Sequence, residues 1–309
     1  MGGLGFQWHL TDRCNLRCRH CYQERFDATT DLEIDELRRL ADRIVAAAPG
    51  PLTIHLTGGE PLLLPGLDRL LRHLDGFGEA ARLHVITNGT LTDPQALEAL
   101  ARCARLKTIK VSAESADSAV NDRARGAGNL ARVEEGISAL RRVTGRPVVT
   151  MATIGRHNAD GIARFAGWSR ELGATGAIFE RFVPLGRGRS MAADALDEEG
   201  WAGIAATVAG LAGIAAGPAE LAPYRAFRLG FETAGEASLA GAECNLGRDS
   251  MTLMPDGTVH PCRRLPEPMG NARFEEVERI LERLERFARS QGVPGRPGCR
   301  ALERSLPGC

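Results

Sequence analysis

Apolar runs of strand length alternate with segments of helical period over the first two-thirds of the chain. Residues 6–11 (FQWHLT) lead through a loop into DLEIDELRRLADRIVAAA, whose leucines and isoleucines recur three and four positions apart, as one face of a buried helix requires. Residues 52–57 precede PGLDRLLRHL, with a proline placed for a first helical turn. Residues 82–87 precede DPQALEALARC, 106–113 precede NLARVEEGISALRRV, 147–154 precede GIARFAGWSRELG, and 177–183 precede a helix over 201–215. Six strand-helix units in succession predict a parallel sheet with right-handed crossovers. Strands rich in Val, Ile and Thr and nearly apolar on both faces suit a barrel wall or a doubly wound sheet. Six units fall short of the eight that close a complete barrel, so the expectation is a partial barrel or an open sheet.

The pattern changes after about Gly217. GPAELAPYRAF is loop-like, DSMTLMPDGTVHPC reads as a hairpin around a Pro-Asp-Gly turn, and FEEVERILERLERFARS is a charged amphipathic helix. A Gly/Pro-rich tail with the last two cysteines follows. The expected organisation is a larger unit over 1–217 and a small appended one over 218–309.

Charge and composition narrow the function classes. The 39 basic and 39 acidic side chains cancel, which disfavours nucleic acid and anionic membrane as partners. Only two of the basic residues are lysines, Lys107 and Lys110. The first ten residues carry no basic segment followed by a long apolar run, and no stretch approaches the roughly 20 apolar residues of a bilayer span, so a cytoplasmic protein is expected. In that reducing setting clustered cysteines bind metal or do chemistry more often than they form disulfides.

The polar singularities fall where strands end. Strand one runs into Cys14, Cys18 and Cys21, strand two into TGGEP (Thr57 to Pro61), strand three into TNG with Asn88, and strand four into SAES with Ser112 and Glu114, then NDRARG. Each taken singly is readable as a turn or a strand terminator. In parallel barrels and open sheets, however, loops at the C-terminal strand ends converge on one face, and four such features there make a binding site the better account. The spacing C-x3-C-x2-C lets three sulfurs aim at one centre. A structural zinc site would need a fourth ligand, for which His9 or His20 is available. A cubane iron-sulfur cluster held by three thiolates would keep one iron open for chemistry.

With these residues in place, the sequence resembles the radical SAM superfamily, whose signature is C-x3-C-x2-C after the first strand of a partial barrel. The resemblance implies that Cys14, Cys18 and Cys21 ligate a 4Fe-4S cluster whose fourth iron is chelated by S-adenosylmethionine. It implies adenine contacts from the backbone of Tyr22, with His20 standing where an aromatic residue is usual. Gly58, Gly59 and Glu60 match the motif that binds the methionine amino group, and Ser112 and Glu114 match the ribose-binding strand end. Asn88, ending strand three, is expected to belong to the same cofactor site. Arg123 or Arg125 would pair with the methionine carboxylate, for which a guanidinium is geometrically suited. The C-terminal unit resembles the SPASM and Twitch extensions of this superfamily: Cys244, Gly257 and Cys262 fit its opening pattern, and Cys299 and Cys309 its end. The usual C-x2-C-x5-C-x3-C group is missing, so four ligands remain, enough for one auxiliary 4Fe-4S cluster in a Twitch-like form. Cys103, within a helix, is expected in the core.

The fold so implied is an α/β partial (β/α)6 TIM-like barrel with a small iron-sulfur extension. The implied activity is reductive cleavage of S-adenosylmethionine to a 5′-deoxyadenosyl radical and oxidative modification of a substrate by hydrogen abstraction. Within the superfamily the sequence resembles maturases of ribosomally made peptides. Because the first strand begins near Phe6, either a separate leader-binding protein delivers the peptide or the substrate is something else, and a flavodoxin or ferredoxin is expected to supply electrons. One alternative is a dehydrogenase of a small natural-product intermediate. A different class, a zinc-stabilised binding protein without catalysis, is disfavoured by the neutral charge and the rim motifs. Glu180, Arg181 and Arg187, at the end of strand six, are candidate acid-base groups by position only, with a solvated salt-bridged rim the simpler expectation.

Overall fold

The computed structural model describes residues 3–221, 223–232, 237–247, 250–293 and 299–305. Six parallel strands form the predicted barrel wall in chain order: β1 (Gly5–His9), β2 (Leu52–Thr57), β3 (Ala81–Thr87), β4 (Leu106–Ser112), β5 (Val148–Ile154) and β6 (Gly176–Arg181). Helices pack on their outer side: α1 (Ile34–Ala47), α2 (Leu67–Asp75), α3 (Pro94–Arg102), α4 (Ser118–Arg125), α5 (Asn129–Thr144), α6 (Ile162–Glu171) and α7 (Glu198–Leu211). The α1 start is fixed by a reciprocal capping box between Glu33 and Glu36, and its apolar stripe, Leu37, Leu40, Ala41 and Ile44, is buried. Asp93 and Asp117 cap α3 and α4 by accepting backbone N–H bonds.

The strands are not apolar on both faces. Outward positions such as Ile54, Leu83 and Ile109 are fully buried in the main core. Inward positions alternate with them and are half-buried and polar, including Gln7, His55, His84 and Lys110. Period-two alternation of this kind marks a wall with one face on the core and one on an accessible interior.

The last third departs from expectation. The segment read as loop-like forms a short helix, α8 (Pro218–Leu221), and a strand, β7 (Tyr224–Phe231), which pairs antiparallel with β6 and then with β8 (Ala237–Glu243). The reason is legible in YRAFRLGF, where buried Ala226, Phe227 and Leu229 sit among Arg225 and Arg228. The expected hairpin is present as β9 (Ser250–Leu253) and β10 (Thr258–His260), turning at Gly257 with φ +86°. It does not stand apart: β9 pairs parallel with β1, and a two-residue strand, β11 (Gly270–Asn271), pairs with β10. Among the described residues one sheet of eleven strands results, in the order β11-β10-β9-β1-β2-β3-β4-β5-β6-β7-β8. Two helices, α9 (Val277–Ser290) and α10 (Arg300–Ser305), complete the C-terminal region. Among the described residues no helix is long and apolar enough to cross a membrane.

Candidate functional site

The loop after β1 is tied to the end of β2 by backbone bonds. Gly59 N–H donates to the Thr11 carbonyl and Glu60 N–H to the Arg13 carbonyl, both at 2.7 Å. No side chain fits between them. A Cβ on Gly58, whose φ is +139°, would lie 2.5 Å from the Thr11 oxygen, and one on Gly59 would overlap the Arg13 carbonyl. The two glycines therefore serve first to let the cysteine loop lie against β2. Thr11 Oγ1 and Asp12 N–H bind the carboxylate of Asp31, which holds the loop from its other side.

Glu60 differs from its expected role. Its carboxylate is fully buried and does not reach the rim cavity; it accepts from Leu62 N–H at 3.1 Å, Thr87 Oγ1 at 2.7 Å and Asn88 N–H at 2.7 Å. Burial raises its pKa to about 7 despite those donors. What Glu60 positions is the end of β3, and with it Asn88, whose amide donates to Asn15 at 2.8 Å and lies 4.0 Å from the Cys14 sulfur.

Cys14, Cys18 and Cys21 line one cavity of about 130 Å³ together with Tyr22, Gly58, Gly59, Asn88, Ser112 and Arg125. Leu16 and Gln23 N–H groups donate to the Cys14 and Cys21 sulfurs, each at 3.4 Å. Burial raises the pKa of all three thiols, that of Cys21 to about 11, so they stay protonated until a cation displaces the proton. Among the described residues no group of three or more His, Cys, Asp or Glu side chains converges as a single metal ion would need. Three soft donors spread around one cavity fit a multi-iron cluster better than a tetrahedral zinc ion.

Glu114 also differs from expectation. Its Oε1 accepts from Arg125 Nε at 2.9 Å and Nη2 at 2.5 Å and faces His20 Nε2 at 3.1 Å, while Oε2 accepts from Thr153 N–H at 2.8 Å. Burial would raise its pKa, but the facing His20 and Arg125 hold it well below the usual carboxylate range. The carboxylate is spent on protein partners, leaving Ser112 as the polar side chain of that strand end on the cavity. Of the two candidate arginines, Arg125 is buried and lines the cavity, whereas Arg123 is exposed.

A second cavity of about 370 Å³ adjoins the first, and Ile86, Met151, Arg263 and Arg264 line both. Cys244, Cys262 and Cys299 all line the larger one. Burial raises the Cys262 thiol. Cys309 lies outside the described residues. Cys103 is buried in the main core, as expected.

The end of β6 is not a solvated rim. Glu180 is buried and pairs with Arg263, with Arg264 at 2.7 Å and with Arg225 at 3.6 Å, which together hold its carboxyl far below the usual range against the effect of burial. Arg181 is buried against Glu198 and the Leu196 carbonyl. Arg187 is exposed and donates to the Cys18 and Arg17 carbonyls. Sequence reading missed Arg263, whose guanidinium lies 5.3 Å over the Tyr22 ring, and Arg264 and Lys110. For Lys110 a signal existed, an ammonium in the middle of an alternating strand in a chain with only two lysines.

A family model of the radical SAM superfamily matches residues 8–168, just over half of the chain. The chain belongs to the radical SAM superfamily. A second model, the SPASM iron-sulfur cluster-binding domain, matches residues 244–301, starting on Cys244 and including Cys262 and Cys299. The radical SAM match implies a 4Fe-4S cluster and S-adenosylmethionine, and the SPASM match an auxiliary iron-sulfur cluster. Among curated relatives, AdoMet-dependent heme synthase of Methanosarcina barkeri is 34% identical over 59% of this chain and 51% of its own length. The antilisterial bacteriocin subtilosin biosynthesis protein AlbA of Bacillus subtilis is 27% identical over 89% of this chain and 58% of its own. The chain thus spans between half and three-fifths of these radical SAM relatives. In three dimensions it shares the fold of Streptococcus suis SuiB, solved bound to precursor peptide SuiA, with a TM-score of 0.72 at 16% identity over 93% of this chain and 66% of that one.

Proposed function

We propose that this radical SAM protein oxidatively modifies a ribosomally synthesised peptide, with Cys14, Cys18 and Cys21 holding a 4Fe-4S cluster beside bound S-adenosylmethionine. The observation that carries the reading is the convergence of those three thiols with Gly58, Gly59, Asn88, Ser112 and Arg125 on one cavity. When bound, the pair supplies one-electron cleavage of S-adenosylmethionine to a 5′-deoxyadenosyl radical that abstracts hydrogen from substrate. The protein's part is to position and to exclude water. Arg125, oriented by Glu114, offers its guanidinium to the methionine carboxylate, and Ser112 offers a hydroxyl to the ribose. The backbone of Gly58 and Gly59 supplies acceptors for the amino group, and that of Tyr22 contacts adenine. Glu60 and Glu114 act by holding Asn88 and Arg125 in place.

Cys244, Cys262 and Cys299, which line the larger cavity, would together with Cys309 hold one auxiliary 4Fe-4S cluster. We assign residues 1–217 to the radical-generating unit and 218–309 to the auxiliary-cluster unit, with a flavodoxin or ferredoxin as electron donor, a separate leader-binding protein as deliverer and the cytoplasm as location. Support for a peptide comes from AlbA, a bacteriocin biosynthesis protein, and from SuiB, bound to a precursor peptide. The heme synthase relative supports a second reading, a small-molecule substrate.

The test is anaerobic reconstitution followed by assay of iron, sulfide and 5′-deoxyadenosine. About eight irons and eight sulfides per chain are expected, and 5′-deoxyadenosine release under reduction. Replacing Cys14, Cys18 and Cys21 together with alanine abolishes that release; zinc without sulfide, or undiminished release from the triple variant, overturns the proposal.

A further inference from the structure

The larger cavity is charged in one direction. Glu180 is the only acid among its described lining residues, against Lys110, Arg225, Arg228, Arg263, Arg264 and Arg300. Arg300 pairs with Glu303 and Arg228 is exposed, so neither decides the balance. The others do. Arg263 and Arg264 share one oxygen of Glu180, and Arg225 stands 3.6 Å from the second. One carboxylate cannot neutralise three guanidiniums, and the Lys110 ammonium is held against a neutral acceptor, 3.5 Å from His55 Nδ1. Arg264 is only 7% exposed, yet its Nη1 has no hydrogen-bond partner among the described residues. Positive charge in excess of its counter-charge is costly to bury, and an orphaned guanidinium nitrogen adds to that cost.

Part of the positive charge would be answered by thiolates at Cys244, Cys262 and Cys299, on the C-terminal side of the cavity. Lys110 lies on the barrel side, on β4, and Arg264 lines both cavities. We infer that Arg264 and Lys110 bind a carboxylate of the substrate, so that the modified position lies next to an acidic side chain or a free C-terminus. The inference rests on the proposed peptide-modifying function and narrows its substrate class. Arginine suits a carboxylate because its planar fork can donate two bonds to it, and lysine adds a point charge in the same cavity. A substrate held there by its carboxylate extends its carbon chain toward Ile86 and Met151, where the smaller cavity begins and hydrogen abstraction would take place.

The experiment uses the reconstituted holoprotein and three tetrapeptides, with binding measured by anaerobic calorimetry. These are acetyl-Ala-Glu-Ala-Ala-amide, its Gln counterpart, and the Gln peptide with a free C-terminus. At least one carboxylate-bearing peptide binds about tenfold more tightly than the neutral one, the yield of a charged hydrogen bond made in a dry site. Which of the two does so separates a side-chain carboxylate from a terminal one. Arg264→Gln abolishes the preference, and Lys110→Met, which leaves the arginine partners of Glu180 in place, reduces it. Equal binding of all three peptides, no binding of either carboxylate peptide, or a preference that survives both substitutions overturns the inference. A preference absent from the wild type, with Arg264→Gln only shifting the auxiliary cluster's electron paramagnetic resonance signal, also overturns it and assigns the cations to the cluster. S-adenosylmethionine binding by the wild type is measured separately, so failure of the broader function is distinguished from failure of this one.

Discussion

The buried contact between Glu114 and Arg125 gives the sharpest test of how the cofactor cavity is held. Glu114→Gln keeps the side chain's shape and removes its charge, leaving Arg125, 8% exposed, without its counter-ion and placing an amide where two guanidinium N–H groups point. Breaking one side of a buried pair costs about 3–5 kcal/mol, because the surviving charge stays desolvated. At roughly 2 °C per kcal/mol for a chain of this size, the melting temperature falls by about 6–10 °C. Arg125→Met alone costs less, because the Glu114 carboxylate keeps His20 Nε2 and Thr153 N–H beside it. The double variant removes both charges and recovers part of the loss, with an interaction energy of at least about 2 kcal/mol. The pH dependence has a defined sign. Because the folded-state pKa is depressed, Glu114 stabilises the protein above the ordinary value of 4.5 and that contribution is lost as pH falls below it, when the unfolded chain takes up a proton that the folded one refuses. The wild type therefore loses up to about 1.4 kcal/mol per pH unit there that Glu114→Gln does not. Anaerobic scanning fluorimetry of the four proteins across pH reads both effects. Additive costs in the cycle, or parallel pH profiles for wild type and Glu114→Gln, would refute the account.

Two further outcomes are expected. Gly59→Ala forces a methyl group onto the Arg13 carbonyl and displaces the cysteine loop, costing about 1–3 kcal/mol and lowering iron bound at the N-terminal cluster. Gly78→Ala, with φ +57° and open space around it, is the control and retains its iron; equal iron in the two variants would count against the packing role. Cys262→Ser lowers iron from about eight to about four per chain and stops substrate modification, read by iron analysis and mass spectrometry. Unchanged iron would remove Cys262 from the auxiliary site.

Much of the barrel was legible because each of its strands is a short apolar run followed by a helix of clear period. The site was legible because the strand ends at Cys14 to Cys21, Gly58 to Glu60, Asn88 and Ser112 break that apolar pattern with reactive or small residues. Motif resemblance gave the residues of the rim without the direction of their carboxylates. Glu60 and Glu114 are buried, and a buried carboxylate is claimed by the nearest protein donors, here Asn88 N–H, Thr87, Arg125 and Thr153 N–H. β8, ASLAGAE, escaped notice because small residues on an edge strand carry almost no apolar signal. Arg263 and Arg264 were invisible as site residues because only the pairing of β9 with β1 carries them to the barrel interior.

That pairing also sets an order of events during folding. Gly5 on β1 has Ser250 on β9 as its partner, about 245 positions further along the sequence, so the β1 edge stays open until β9 has docked. Open strand edges invite pairing with other chains, so the protein is exposed to aggregation during that interval. The wall of the cysteine cavity is complete only when Arg263 and Arg264 have docked. Closure of the wall around Cys14, Cys18 and Cys21 therefore depends on a contact of long sequence separation, of the kind that is slow to form.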